Sequence, residues 1–158
     1  MIQRVQTLYL SMAFILLVIV ATGVTFFSYV ADGVRYSFDA FGITHANVET
    51  GELIGHTDTF AFIGIITLGL MCVATVLSYK ALDRQLKTGR ILFFLYFLAV
   101  IGVVLASIMG DKFLGVEAGV REMGLGFVLF IAGFPFTFLA NLGIKRDKRV
   151  LDSLDRLR

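Results

Sequence analysis

No Asp, Glu, Lys, Arg or His occurs in residues 5–31, 59–79, 91–110 or 123–144. Each block has at least 20 residues, and at about 1.5 Å of rise per helical residue even the shortest reaches about 30 Å, the thickness of bilayer hydrocarbon. With 58% hydrophobic and 16% charged residues in a chain of 158, an ordinary soluble domain is excluded. The same absence argues against ion or proton movement and against chemistry at depth, since both use ionisable side chains inside the membrane. The single cysteine, Cys72, lies in the second block. It has no partner for an intramolecular disulfide and reads as a small buried hydrophobe. The single proline, Pro135, lies in the fourth block beside Gly133 and Phe134, where a helix kink is expected.

Motifs are missing as well. There is no HExxH, no CxxC and no EF-hand loop. His45 and His56, with Asp39, Glu49, Glu52 and Asp58, therefore read as a solvated acidic surface in preference to a metal site. Ser, His and Asp occur without a nucleophile elbow or another local catalytic signature. No catalytic, cofactor-binding or metal residue is assigned, no cofactor or nucleic acid is called for, and the chain does not read as an enzyme.

What is present is a partition of charge. Eleven of the fourteen basic residues lie at Arg4, between Lys80 and Arg90, and from Lys145 to Arg158, whereas eight of the twelve acids lie in the other two connections. The positive-inside rule then puts both termini in the cytoplasm, consistent with an even number of crossings. The expected architecture is an all-α membrane protein forming one domain over residues 1–158. Its four transmembrane helices are expected near residues 5–29, 59–79, 91–110 and 123–144, in a bacterial inner membrane. The first block has too long an apolar run and no A-x-A cleavage site for a signal peptide, so it reads as a retained helix.

Between helices one and two, residues 32–58 form the sizeable outer segment. Asp32-Gly33 separates Ser28–Ala31 from the alternating Val34–Phe38 and predicts a β-hairpin, and Thr50-Gly51 gives a weaker signal of the same kind. The connection at residues 111–122 reads as too small for a domain. Residues 145–158 predict a cytoplasmic amphipathic helix, with Val150, Leu151, Leu154 and Leu157 on one side and charges at Lys148, Arg149, Asp152, Asp155, Arg156 and Arg158. Its basic cluster, Lys145, Arg146, Lys148 and Arg149, suits anionic lipid and serves equally as a topology signal. Gly102, Ala106 and Gly110 form a small-xxx-small stripe expected at a helix interface, with another subunit or within the chain. Tyr96, Ser107, Thr137 and Asn141 are the polar groups that would line a pathway if one exists.

Both ends of the chain resemble a family of small four-helix inner-membrane proteins of unknown function found in Bacteroidota. The resemblance rests on Met1 to Leu10, on Arg84-Gln85-Leu86-Lys87 with Arg90, on Leu139-Ala140-Asn141 and Gly143 to Asp147, and on the closing Ser153-Leu154-Asp155-Arg156-Leu157-Arg158. Lys148 and Asp152 depart from the family pattern in charge. The resemblance implies a location and a topology, and no reaction. The expected role is an accessory or scaffolding subunit that docks other membrane subunits through its tail, at Lys145, Arg146, Lys148, Arg149, Leu151, Leu154, Arg156, Leu157 and Arg158, or through helix three. A small, possibly oligomeric transporter or channel is the alternative.

Overall fold

A computed structural model describes residues 3–115 and 120–155. Its elements run α1 (Gln3–Ala21), β1 (Phe27–Ala31), β2 (Val34–Phe38), β3 (Gly42–Asn47), β4 (Leu53–Asp58), α2 (Ala61–Leu77), a 3₁₀ turn (Ser78–Lys80), α3 (Leu82–Leu114), β5 (Val120–Met123) and α4 (Leu125–Asp155). The five strands make one antiparallel sheet in the order β4-β3-β2-β1-β5. The expected all-α architecture is thereby overturned: the fold is mixed, with helices and a five-stranded sheet.

The reason lies in the first charge-free block, which is not one helix. Gly23 takes the left-handed conformation at φ 91°, and the Thr22 hydroxyl donates to the Ile19 carbonyl, which closes α1 after 19 residues. The next residues, Val24 to Val30, are rich in β-branched and aromatic side chains and suit a strand. In β1, Phe27, Ser28, Tyr29 and Ala31 are buried. A buried strand carries no charge, so composition alone does not separate it from a continuing helix.

The outer connection at 111–122 also differs from expectation. Helix α3 runs on to Leu114, and Val120–Met123 pairs with β1 in the register Phe27↔Met123 to Val30↔Val120. The β1–β2 hairpin turns at Asp32 and Gly33, with φ of 50° and 75°, the mirror-image turn that follows strand twist. The β3–β4 turn is held by the Asn47 side chain, which accepts from the Glu49 and Thr50 backbone N–H groups, and by Gly51 at φ 70°.

Among the described residues three helices are long and apolar enough to cross a membrane: Ala61–Lys80, Leu82–Gly110 and Leu125–Ser153. The expected count of four loses α1, whose apolar part is the shorter Val5–Ala21. Helix α1 nevertheless runs antiparallel beside α4, with Gln6 against Asp147 at one end and Val24 against Gly126 at the other. Helices α1 and α3 each pack on both α2 and α4. Their outer surfaces expose Leu8, Ile15, Leu70, Phe94, Leu98 and Val128, large apolar side chains that water would not tolerate in such density. The chain is a membrane protein.

The interior follows a 4-3 spacing. Buried positions are Gln6, Leu10, Ala13, Leu17 and Val20 on α1, and Gly126, Phe130, Gly133, Thr137, Ala140, Ile144 and Asp147 on α4. Helix α3 adds Gln85, Gly89, Leu92, Tyr96, Ser107 and Gly110. A 3.5-residue period keeps one seam facing its neighbour when helices cross at shallow angles. Small and polar residues mark that seam, because in lipid the packing of close backbones and hydrogen bonds holds helices together.

Candidate functional site

Away from the sheet, the N-terminal end of α1, the start of α3 and the last turns of α4 meet. Helix α4 has 31 residues and α3 has 33, about 46 and 50 Å, so both extend beyond about 30 Å of hydrocarbon. The tail is therefore no separate amphipathic helix: its described part, to Asp155, continues α4 and its 4-3 register. That register buries Ile144 and Asp147 and leaves Val150 and Leu151 exposed, so the buried face includes a carboxylate and the two described residues of the expected apolar face point outward.

Several polar contacts hold this end. The buried Gln6 side chain donates through Nε2 to Asp147 Oδ2, joining α1 to α4. The Asn141 Nδ2 donates to the Gly89 carbonyl at 2.7 Å, joining α4 to α3. Lys148 pairs with Asp83 on the surface. Gly89 and Gly143 allow the approach, since an added Cβ would lie 2.9 Å from Asn141 Oδ1 and 2.9 Å from Gln6 Cγ respectively. Around this knot Arg84, Lys87, Arg90, Lys145, Arg146 and Arg149 are exposed. Leu142, Lys145, Arg146, Arg149, Val150 and Ser153 line one groove along α4. Of the expected tail contacts, Lys145, Arg146, Arg149 and Leu151 are exposed and Lys148 is engaged with Asp83. The Leu154 side chain and Arg156, Leu157 and Arg158 lie outside the described residues.

At the sheet end, Tyr29 reaches from β1 to α3. Its hydroxyl donates to the Ser107 carbonyl at 2.5 Å, and Arg121 Nη1 of β5 donates to the same carbonyl at 2.9 Å. Of the small-residue stripe, Gly110 packs against the Tyr29 ring, where a Cβ would sit 2.9 Å from the hydroxyl oxygen. Gly102 and Ala106 are exposed and border a cavity between α2 and α3. The two histidines are not brought together. His56 pairs across the ladder with Thr44, the neighbour of His45, so alternation sends the two rings to opposite faces of the sheet. Among the described residues no three His, Cys, Asp or Glu side chains form a metal-binding group.

The polar groups considered for a pathway are packed. Tyr96 donates to the Phe130 carbonyl at 2.9 Å and Thr137 to the Phe134 carbonyl at 2.7 Å, while Asn141 is held as above. Ser107 is buried.

Residues 2–157 match the sequence family described as a domain of unknown function, DUF4293. The chain belongs to the DUF4293 family. No curated protein matches it. In this DUF4293 chain the residues that sequence reasoning passed over are Gln6, Gln85 and Asp147. The available signal was their place in the 4-3 register of small and polar residues, Asp147 lying three positions after Ile144 and seven after Ala140. Replacing Gln6 by Leu is expected to leave Asp147 buried without its donor and to cost about 2 kcal/mol, the usual size for a hydrogen bond to a charged group. Reversible unfolding in mixed micelles measures it, and Asp147→Asn, which can still accept from Nε2, should cost less.

Proposed function

We propose that this DUF4293 protein is a non-catalytic accessory or scaffolding subunit of a membrane protein complex. We place it in the inner membrane of a member of the Bacteroidota, with the shorter α1 crossing alongside α4 as a fourth span so that both termini are cytoplasmic. The observation that carries the reading is the two-sided last part of α4. One side is locked onto α1 and α3 through Ile144, Asp147, Asn141 and Lys148. The other presents Lys145, Arg146 and Arg149 with Leu142 and Val150 to whatever lies beside it. A rigid helix face combining cations with apolar side chains suits an acidic membrane partner resting on anionic lipid. The intramolecular engagement of Tyr96, Thr137 and Asn141 supports this reading over a transporter.

Deleting the tail is a poor test, because it also removes Asp147 and Lys148 from the packed side. The informative variant is Arg146→Glu with Arg149→Glu in the full chain, isolated in mild detergent. Co-purified subunits should fall by about tenfold or more while the unfolding midpoint is unchanged, since charge reversal at an exposed interface changes association and leaves the core intact. An unchanged set of subunits, or a partner-free chain in both samples, overturns the proposal. Orientation has its own measurement: with Cys72 buried, a cysteine at Lys87 should be shielded from an impermeant reagent in intact cells and one at Glu49 should be labelled. The reverse pattern would invert the topology.

A further inference from the structure

Helices α2 and α3 do not close on each other beneath the sheet. Between them lies a cavity of about 410 Å³, open at the side. Its mouth on the two helices is made of small residues, Ala61 and Gly64 of α2 and Ala99, Gly102 and Ala106 of α3, while larger apolar side chains, the Phe27, Phe38 and Phe130 rings among them, line the rest. Small residues at helix interfaces ordinarily bring backbones together, yet a Cβ added at Gly64 or at Gly102 would meet nothing within 4 Å. Here they make space.

The volume falls within the range of ligand pockets. An apolar space of this kind does not hold water, which needs polar partners, and left empty it forfeits the dispersion contacts of its walls. Both helices beside it are long and apolar enough to cross a membrane, so the medium such a space would open to is hydrocarbon. The lining is apolar except at Thr59 and Asp39, and Asp39 is the one charged residue in it. Its Oδ1 accepts from the backbone N–H groups of Phe41 and Gly42 at 2.7 and 2.9 Å, which holds the carboxylate at the β2–β3 turn. Among the described residues no basic side chain pairs with it. A largely apolar slot between two helices of membrane-crossing length, with a carboxylate at its sheet end that no described basic side chain pairs, has the layout of a lipid site whose headgroup is cationic at its tip.

We propose that the cavity holds an acyl chain of a phospholipid from the leaflet on the sheet side, with a primary-ammonium headgroup received by Asp39. The chain fills the space between α2 and α3. Because hydrocarbon inside the cavity and outside it are alike, the carboxylate supplies the preference: an ethanolamine headgroup can donate to Asp39, a choline headgroup cannot, and a glycerol headgroup leaves the phosphate charge unbalanced.

The test is native mass spectrometry of the full chain in detergent with added phosphatidylethanolamine, phosphatidylcholine or phosphatidylglycerol of identical acyl chains. Wild type should retain one phosphatidylethanolamine in preference to the other two. Gly102→Phe and Gly64→Leu fill the cavity from opposite walls, and each should reduce retention by about tenfold, the scale of a site lost to steric exclusion. Asp39→Asn, whose Oδ1 can still accept from Phe41 and Gly42, should keep an acyl chain bound and lose the headgroup preference. Unfolding midpoints identify any variant that fails to fold, and the other wall then supplies the result. Equal retention of the three lipids by wild type, or unchanged retention by a folded cavity-filling variant, overturns the proposal. So does a polypeptide segment found cross-linked into the cavity in place of lipid.

Discussion

Replacing Tyr29 by Ala is expected to cost about 3–5 kcal/mol, the range for removing a large buried aromatic. Few substitutions in this chain should cost more. The ring is fully buried between the sheet and α3, contacts Phe27 and Phe38 edge to face, and covers Gly110. Its hydroxyl also ties β1 to the Ser107 carbonyl. Loss of the ring leaves a void on a side of α3 where nothing small is free to collapse. Tyr29→Phe keeps the ring and should cost about 1 kcal/mol, the net worth of one hydrogen bond, since Arg121 still donates to the same carbonyl. Unfolding in mixed micelles measures both, and limited proteolysis of the β3–β4 turn tests whether the sheet loosens first. A cost below about 1 kcal/mol for Tyr29→Ala would show that the sheet is anchored elsewhere.

Gly126→Val should be comparably damaging, for a different reason. Here α4 begins against the segment that joins α1 to β1, and an added Cβ would lie 2.5 Å from the Val24 carbonyl oxygen and 2.8 Å from that of Thr25. Both obstacles are backbone. The Gly126 N–H donates to the Thr25 carbonyl at 2.9 Å, and the Gly124 N–H to that of Phe26 at 2.8 Å, so relief of the clash breaks the bonds that seat the helix under the sheet. The expected cost is about 3 kcal/mol, the upper end for overpacking, because rigid atoms cannot yield. Gly64→Ala is the matched contrast. Its Cβ meets nothing, and the substitution should be neutral or stabilising by up to about 1 kcal/mol through helix propensity. If the two glycines respond alike, the close approach at Gly126 is not what holds the junction.

The chain's turns were easier to read than its pairings. Asp32-Gly33 lies between alternating apolar residues, and the chain reverses there because those two residues accept positive φ. Nothing local to Val120-Arg121-Glu122-Met123 points to Phe27 as its partner, more than ninety positions away. The helix boundaries were hidden by an opposite effect. In a membrane protein the lipid face is as apolar as the core, so the usual contrast between buried and exposed positions is erased, and the 4-3 seam shows only as a scatter of Gly, Ala, Thr and Gln. The stripe at Gly102, Ala106 and Gly110 illustrates the ambiguity. Spacing says that two surfaces meet there, whereas the structure divides it, Gly110 under Tyr29 and the other two along a cavity.

Composition and charge order by themselves determined that this is a membrane protein, which connections are basic and which acidic, and that it carries no recognised catalytic or metal motif. The first two follow from transfer free energies and the third from residue spacing, and none of these depends on a distant partner. Only the tertiary structure decided that the first apolar block is a helix and a strand, that five strands form one sheet, that the tail continues α4 with Asp147 inside, and that α2 and α3, packed on each other elsewhere, leave a cavity beneath the sheet. Each of those depends on which distant surface a segment meets, and an apolar residue is equally content against lipid, a neighbouring helix or a sheet until packing and hydrogen bonding choose among them.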